Sequence, residues 1–285
     1  MLENILHILI HTFIDTLKLF PFLFIAFLII ELIEHKLTNK NKKILGKTKK
    51  FGNIIGALLG IIPQCGFSAM ATNLYITRIV SLGTLISIYL STSDEMLPIL
   101  ISKNVNPTII IKILLIKVLF AIVYGIIIDI IISKRKKKEK ENYQICEDEH
   151  CDCNKGILKP AIKHTLNISL FILIINFIIN ILFTYIGEDF LSKLLLKNSL
   201  FSPFITSLIG LIPNCGASVI LTELYLNNAI ELSSLISGLL TGSGTALIIL
   251  FKGNKNIKEN IFIVVLLYLL GSISGIIINL IQLLI

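Results

Sequence analysis

Residues 60–68, GIIPQCGFS, and 210–218, GLIPNCGAS, carry the same groups at the same spacing inside long apolar runs. In each, a proline and a glycine bracket an amide and a thiol: Pro63-Gln64-Cys65-Gly66 and Pro213-Asn214-Cys215-Gly216. Proline removes a backbone donor and glycine loosens a helix, while an amide or thiol is costly in apolar surroundings. A thiol, an amide oxygen and a carboxylate, with the carbonyls that the prolines release at Ile62 and Ile212 as further oxygens, form a ligand set. It suits a divalent transition metal or a thiophilic metalloid such as arsenic. Helix N-termini at Gly66 and Gly216 would favour an anion instead, so spacing leaves the sign of the ligand open. Free cysteine is also a common small core residue.

Further polar groups follow each tip. The next turns present Ser68, Thr72 and Asn73 in one copy, and Ser218, Thr222 and Glu223 in the other. The apolar blocks after them contain STSDE (91–95) and TGSGT (241–245), small polar stretches that mark a second unwound place. Carboxylates inside a span are expensive unless paired. Asp94, Glu95 and Glu223 are therefore expected to hold a cation or relay protons, with a static ion pair to Lys117 as the competing reading. The expected site is Gln64, Cys65, Ser68, Asp94, Glu95, Asn214, Cys215, Ser218 and Glu223. Thr72, Asn73, Ser91, Ser93, Thr222, Thr241, Ser243 and Lys117 would support it, and Pro63, Gly66, Pro213 and Gly216 would make the turns. A separate tract, CEDEHCDC (146–153), offers Cys146, His150, Cys151 and Cys153. Cys151 and Cys153 stand too close for a C-x₂-C zinc knuckle. The tract reads either as a metal-capturing segment or as a solvated linker.

The elements that position these groups follow from composition. Of 285 residues, 54% are hydrophobic and only 15% charged, with a mean hydropathy of +0.86. A soluble domain carries about 25% charge. Solid Ile/Leu blocks of spanning length exclude the alternating pattern of a β-barrel and define an all-α polytopic membrane protein. No cleavable leader is expected, since the first apolar stretch runs into ELIEHKLTNKNKK.

The chain repeats itself. Gly60–Leu100 aligns with Gly210–Leu250 without a gap, with 18 identities in 41 positions. The organisation read from this is a first repeat over 1–133, a charged Cys/His/acid-rich cytosolic linker over 134–156 and a second repeat over 157–285. Each repeat has four apolar blocks, about 12–34, 51–78, 82–101 and 107–133, then 164–186, 201–228, 231–251 and 260–284. The net charge of +8 sits mostly in the loops 35–50 and 133–140, which the positive-inside rule keeps in the cytoplasm. Both loops fall inside only if 51–78 enters and leaves on one face. The reading is then two inverted repeats, each of three transmembrane helices plus a re-entrant helical hairpin, with both termini outside the cell membrane.

The paired PQCGFS and PNCGAS, STSDE, FPFLFIAFLIIELIEH and the acidic linker before ILKPAIKHT resemble the ten-transmembrane heavy-metal exporter family. Its members go under the names arsenic efflux protein and manganese transporter. The resemblance covers nearly the whole chain and implies metal export. The linker departs from the family's His-rich versions, with His150 alone and more cysteine.

The leading expectation is a secondary-active, proton-coupled exporter of Mn²⁺ or a similar divalent cation. The alternative within the class is an arsenite or organoarsenical efflux permease. A passive channel would keep charge out of its constriction, whereas three acids lie near this one. A membrane-embedded cysteine enzyme would need a base, and His7, His11, His35, His150 and His164 all lie outside the tips. No enzyme activity is expected, no cofactor beyond the transported ion, and no ATP drive, since no phosphate-binding loop is present. The expected partners are the metal or metalloid and membrane lipid, with a homodimer left open. Nucleic acid is not expected, because nothing aromatic or motif-like accompanies the lysines.

Overall fold

Among the described residues, each half of the chain shows the same succession of six helices: one long, two short around a break, two more around a second break, and one long. The computed structural model describes residues 2–36, 52–63, 65–93, 95–135, 158–186 and 201–284. The first half gives α1 (Leu2–Lys36), α2 (Gly52–Leu59), α3 (Cys65–Ile76), α4 (Leu82–Ser91), α5 (Met96–Ser102) and α6 (Pro107–Arg135). The second gives α7 (Leu158–Ile186), α8 (Ser202–Gly210), α9 (Cys215–Leu226), α10 (Leu232–Thr241), α11 (Ala246–Gly253) and α12 (Ile257–Leu284). Among the described residues there is no strand.

The breaks fall where the sequence placed them. The chain turns over 60–63 and 211–214, at the two prolines, and α9 restarts on Asn214, whose side chain accepts from the Gly216 amide. The third block of each repeat is also split. Thr92–Ser93 and Gly242–Thr245 separate α4 from α5 and α10 from α11.

Among the described residues, five segments are long and apolar enough to cross a membrane: Ile8–Ile25, Pro107–Ile132, Ala161–Ile181, Leu232–Gly253 and Ile257–Leu284. The block 82–101, also expected to span, contains Asp94, which lies outside the described residues. Leucines and isoleucines such as Leu115, Leu119, Leu269 and Ile273 point outward from α6 and α12, as lipid-facing surfaces do. This is a multi-pass membrane protein.

α4 and α10 form the centre. Every residue of α4 is buried, and α10 is buried from Ser233 to Thr241. Each lies between the long helix and the first broken arm of its own repeat, and they touch each other. Small residues allow this close approach, and they do so identically in both halves. Ser87 on α4 donates to the Ala121 carbonyl at 3.0 Å, and Ser237, 150 positions on, donates to Gly271 at 3.0 Å.

A second cluster joins α1, α3, α7 and α11 through Leu19, Leu23, Phe27, Ala69, Ile172 and Ile249. α1 and α7 run antiparallel. Thr12 accepts from Asn180 at 2.9 Å at one end, and Phe27 stacks on His164 at 5.5 Å towards the other. These contacts exchange when one repeat is laid on the other, because the HT pair at 11–12 matches that at 164–165. The Tyr124 hydroxyl meets Ser274 at 3.0 Å, a contact between positions 150 apart. α3 packs on α11 as α9 packs on α5. A contact between equivalent positions, with reciprocal contacts around it, is what a two-fold axis produces.

The first arms end tight against the third blocks at Gly60 and Gly210. A Cβ at Gly60 would stand 1.9 Å from Ser91 Oγ and 2.9 Å from the Ile88 carbonyl, and one at Gly210 would stand 2.0 Å from the Gly238 carbonyl. At Gly242 the nearest atom would be 3.5 Å away. Gly60→Ala and Gly210→Ala are each expected to cost about 1–3 kcal/mol, read as a lower thermal-unfolding midpoint in detergent. Gly242→Ala should leave that midpoint in place.

Candidate functional site

Proline and glycine stop α2 and α8, and the polar residues that follow sit at the start of α3 and α9. Gln64 and Asp94 lie outside the described residues, as do Cys146, His150, Cys151 and Cys153. Cys65 opens α3 and Cys215 opens α9. The Cys215 side chain is half-buried, Pro213 and Gly216 are partly covered, and Pro63 is exposed.

The hydroxyls behind the tips are buried and spend their protons on their own helices. Thr72 donates to the Ser68 carbonyl at 2.7 Å and Thr222 to the Ser218 carbonyl at 2.7 Å. Ser218 Oγ donates to the Cys215 carbonyl at 2.8 Å, and Thr72 also lies 2.6 Å from the Tyr89 hydroxyl on α4. Their oxygen lone pairs remain available, so these hydroxyls can accept or coordinate. Asn73 is buried, with its amide nitrogen unbonded among the described residues.

Asn214 is engaged at both ends of its amide. Oδ1 accepts from the Gly216 amide at 2.8 Å, and Nδ2 donates to Asn180 Oδ1 at 2.7 Å. Asn180 passes the chain of bonds on to Thr12, so the tip of repeat 2 is tied through α7 to α1. Asn214 caps α9 and offers a ligand little beyond the second lone pair of Oδ1. Asn180 is a residue that pattern reasoning missed. A single amide near the end of an apolar helix gives no sign of which neighbour it reaches.

At the α4–α5 break, Ser91 donates to the Ser87 carbonyl at 2.9 Å and Ser93 to the Ser91 carbonyl at 3.2 Å. Glu95 is partly buried at the foot of α5. Lys117 comes in from α6, fully buried, and its ammonium donates to the Thr92 carbonyl. A lysine at that depth costs several kcal/mol unless partners surround it; here the carbonyl it bonds belongs to Thr92, two residues in sequence before Asp94. At the α10–α11 break, Thr241 donates to the Ser207 carbonyl at 2.9 Å, which fastens α10 to α8. Ser243 Oγ is buried and makes no hydrogen bond among the described residues.

Glu223 is not brought to the tips. Eight residues beyond Cys215, it is about 12 Å along α9, and it pairs with Lys103 at 3.3 Å. Among the described residues no three His, Cys, Asp or Glu side chains gather around one point.

Other acids hold the fold. Asp129 on α6 accepts from Ser81 Oγ at 2.7 Å and from the Gly83 amide at 3.0 Å, capping α4. Glu259, at the start of α12, takes both arms of the Arg78 guanidinium at 2.6 and 2.8 Å and also accepts from the Tyr75 hydroxyl. Arg78 adopts φ 60 and lies 5.3 Å over the Tyr75 ring. Among the described residues, the inter-repeat ion pairs Arg78–Glu259 and Lys103–Glu223 join residues close to element ends.

Buried broken helices in a duplicated, apolar, multi-pass chain define a membrane transporter class. The model of one family, described as "Putative, 10TM heavy-metal exporter", matches the chain twice, over residues 4–147 and 130–281. The chain belongs to that family, and the two matches fit a duplicated sequence. No curated protein and no solved structure matches it.

The Asn180 tether generates a test. In a chain whose other four cysteines are serine, Asn180→Leu should leave Asn214 Nδ2 unpaired, cost about 1–3 kcal/mol and raise the rate of Cys215 alkylation by maleimide. An unchanged rate would mean that the tip is held by other contacts.

Proposed function

We propose that the chain is a secondary-active exporter that moves a divalent transition-metal ion, Mn²⁺ or one like it, out across the cytoplasmic membrane against proton entry. Two inverted repeats would deliver their tips to a site at the bilayer midplane, each tip being the turn of a re-entrant hairpin. The observation that carries this reading is the pair of broken helices in each repeat, with every tip packed onto the break of the block beside it.

Inversion is supported by the antiparallel course of α1 and α7, which are repeat equivalents. An axis that relates antiparallel helices lies across them, and so in the membrane plane when they span it. The ion pairs support it independently. The lysine count puts Arg78 and Glu259 together inside, and Lys103 and Glu223 together outside, and these are the partners observed. The α2–α3 and α8–α9 arms have 8, 12, 9 and 12 residues, about half a bilayer each at helical rise.

In this reading Cys65, Cys215, Gln64, Asp94 and Glu95 supply the ligands, with Ser68 and Ser218 behind them. Asn214 positions the second tip. Asp94 and Glu95 exchange metal for protons, and Lys117 supplies a fixed countercharge when the metal leaves. Glu223, expected among the ligands, takes the outer ion pair with Lys103 instead. The half-buried Cys215 thiol at the head of α9 favours one second reading, efflux of a trivalent arsenical.

One experiment separates them: flux into proteoliposomes with an imposed pH gradient. Mn²⁺ flux that follows the gradient, falls at least about tenfold in Glu95→Gln and survives in part in Cys215→Ser supports the proposal. Flux of arsenite alone, lost in Cys215→Ser and intact in Glu95→Gln, supports the second reading. Metal flux indifferent to the gradient overturns proton coupling.

A further inference from the structure

Repeat 1 carries a cation of its own at the break in its third block, the Lys117 ammonium on the Thr92 carbonyl. The equivalent of Lys117 in repeat 2 is Leu267, equally buried. No charge comes from that position to the equivalent break, yet two hydroxyl oxygens at this break have no partner among the described residues. The Gly242 amide is the last to bond back into α10, to Gly238 at 3.1 Å, and the ladder resumes with Ala246 on Ser243 at 3.3 Å. Among the described residues the amides of Ser243, Gly244 and Thr245 make no backbone bond to α10, and Gly244 adopts φ 56. The last carbonyls of α10 are thereby released, at the negative end of its dipole. Ser243 Oγ and Thr245 Oγ1, in residues 1% and 0% exposed, have no hydrogen-bond partner among the described residues.

A third orphan oxygen stands at the same depth. Asn176 on α7 is 6% exposed, and its Oδ1 has no hydrogen-bond partner among the described residues. Two contacts set the register. The Lys252 ammonium donates to the Asn167 carbonyl at 2.6 Å and lies 4.7 Å over Phe171. At the other end Asn214, four residues after Gly210, which packs against Gly238 and Thr241, bonds Asn180. Positions therefore rise from 241 to 252 along α10–α11 as they fall from 180 to about 169 along α7. Thr245 comes level with Asn176.

An amide carbonyl, two hydroxyls and helix-end carbonyls, without a carboxylate or thiol, suit a hard singly charged ion. A divalent ion would call for carboxylates, and a soft one for sulfur or imidazole. We propose that the α10–α11 break binds an alkali cation through Ser243, Thr245 and Asn176, doing for repeat 2 what the Lys117 ammonium does for repeat 1. Any part this ion plays in transport rests on the export reading; its binding does not.

The experiment measures binding with no transition metal present. Purified full-length protein in detergent is titrated with ²²Na⁺, and its thermal unfolding is followed in NaCl, KCl or choline chloride at constant ionic strength. Saturable ²²Na⁺ binding or selective stabilisation by either alkali ion, weakened about tenfold or more in Thr245→Val and Asn176→Leu, is the expected result. Leu267→Lys should abolish the dependence by supplying a tethered cation. Equal behaviour in all three salts, or alkali binding untouched by Thr245→Val and Asn176→Leu, overturns the proposal; the first of these is what ordered water alone would give. Because no metal flux is read, failure here leaves the export reading standing, and failure of export leaves this site standing.

Discussion

A helix can end inside a bilayer only where something other than lipid takes the backbone groups it leaves unpaired. That constraint bears on this protein, because four of its apolar runs break among the described residues. Each break is covered by another part of the chain. The tip glycines admit the backbone of the neighbouring block to within contact, Asn214 caps the amide of Gly216, and Lys117 takes the carbonyl of Thr92. Covering the breaks draws the two tips and the two split blocks towards the centre. Long apolar helices then complete the outside, with Leu and Ile facing outward. The small residues of α4 and α10 are the condition for this arrangement, since bulky ones would hold the breaks apart.

The duplication supplies symmetry, and the departures from it supply function. Shared positions are structural: Ser87 and Ser237 make the same bond, and Gly60 and Gly210 fill the same tight space. Charged positions are not shared. Asp94, Glu95 and Lys117 face Gly244, Thr245 and Leu267 across the repeat, while Glu223 faces Asn73. Repeat 1 thus holds the charge at its break and repeat 2 holds neutral oxygens. A duplicated scaffold with unlike halves can present different ligands at its two breaks.

Much of this was legible in the residues. The repeat, the all-helical membrane class and the breaks at Pro63 and Pro213 were readable because proline, glycine and apolar length act locally. The split of the third block was visible too: STSDE and TGSGT marked an unwound stretch, and both blocks divide there. The partner of Glu223 was not readable, because helical spacing gives its distance from Cys215 and not the identity of its partner, which lies 120 residues away at Lys103. The roles of Asn180, Asn176 and the Arg78–Glu259 pair depend on the register between α7, α11 and the tips. That register is set by packing across the repeats and leaves no pattern in either strand of sequence.

The central claim is that equivalent positions in the two repeats face opposite sides of the membrane. Asn104 and Lys255 are both exposed and close the third block of each repeat. Single cysteines at these positions, in a chain otherwise free of cysteine, can be labelled in intact cells with a membrane-impermeant maleimide. The account requires Asn104→Cys to label from outside and Lys255→Cys to label only after permeabilisation. Labelling of both from the same side would contradict it.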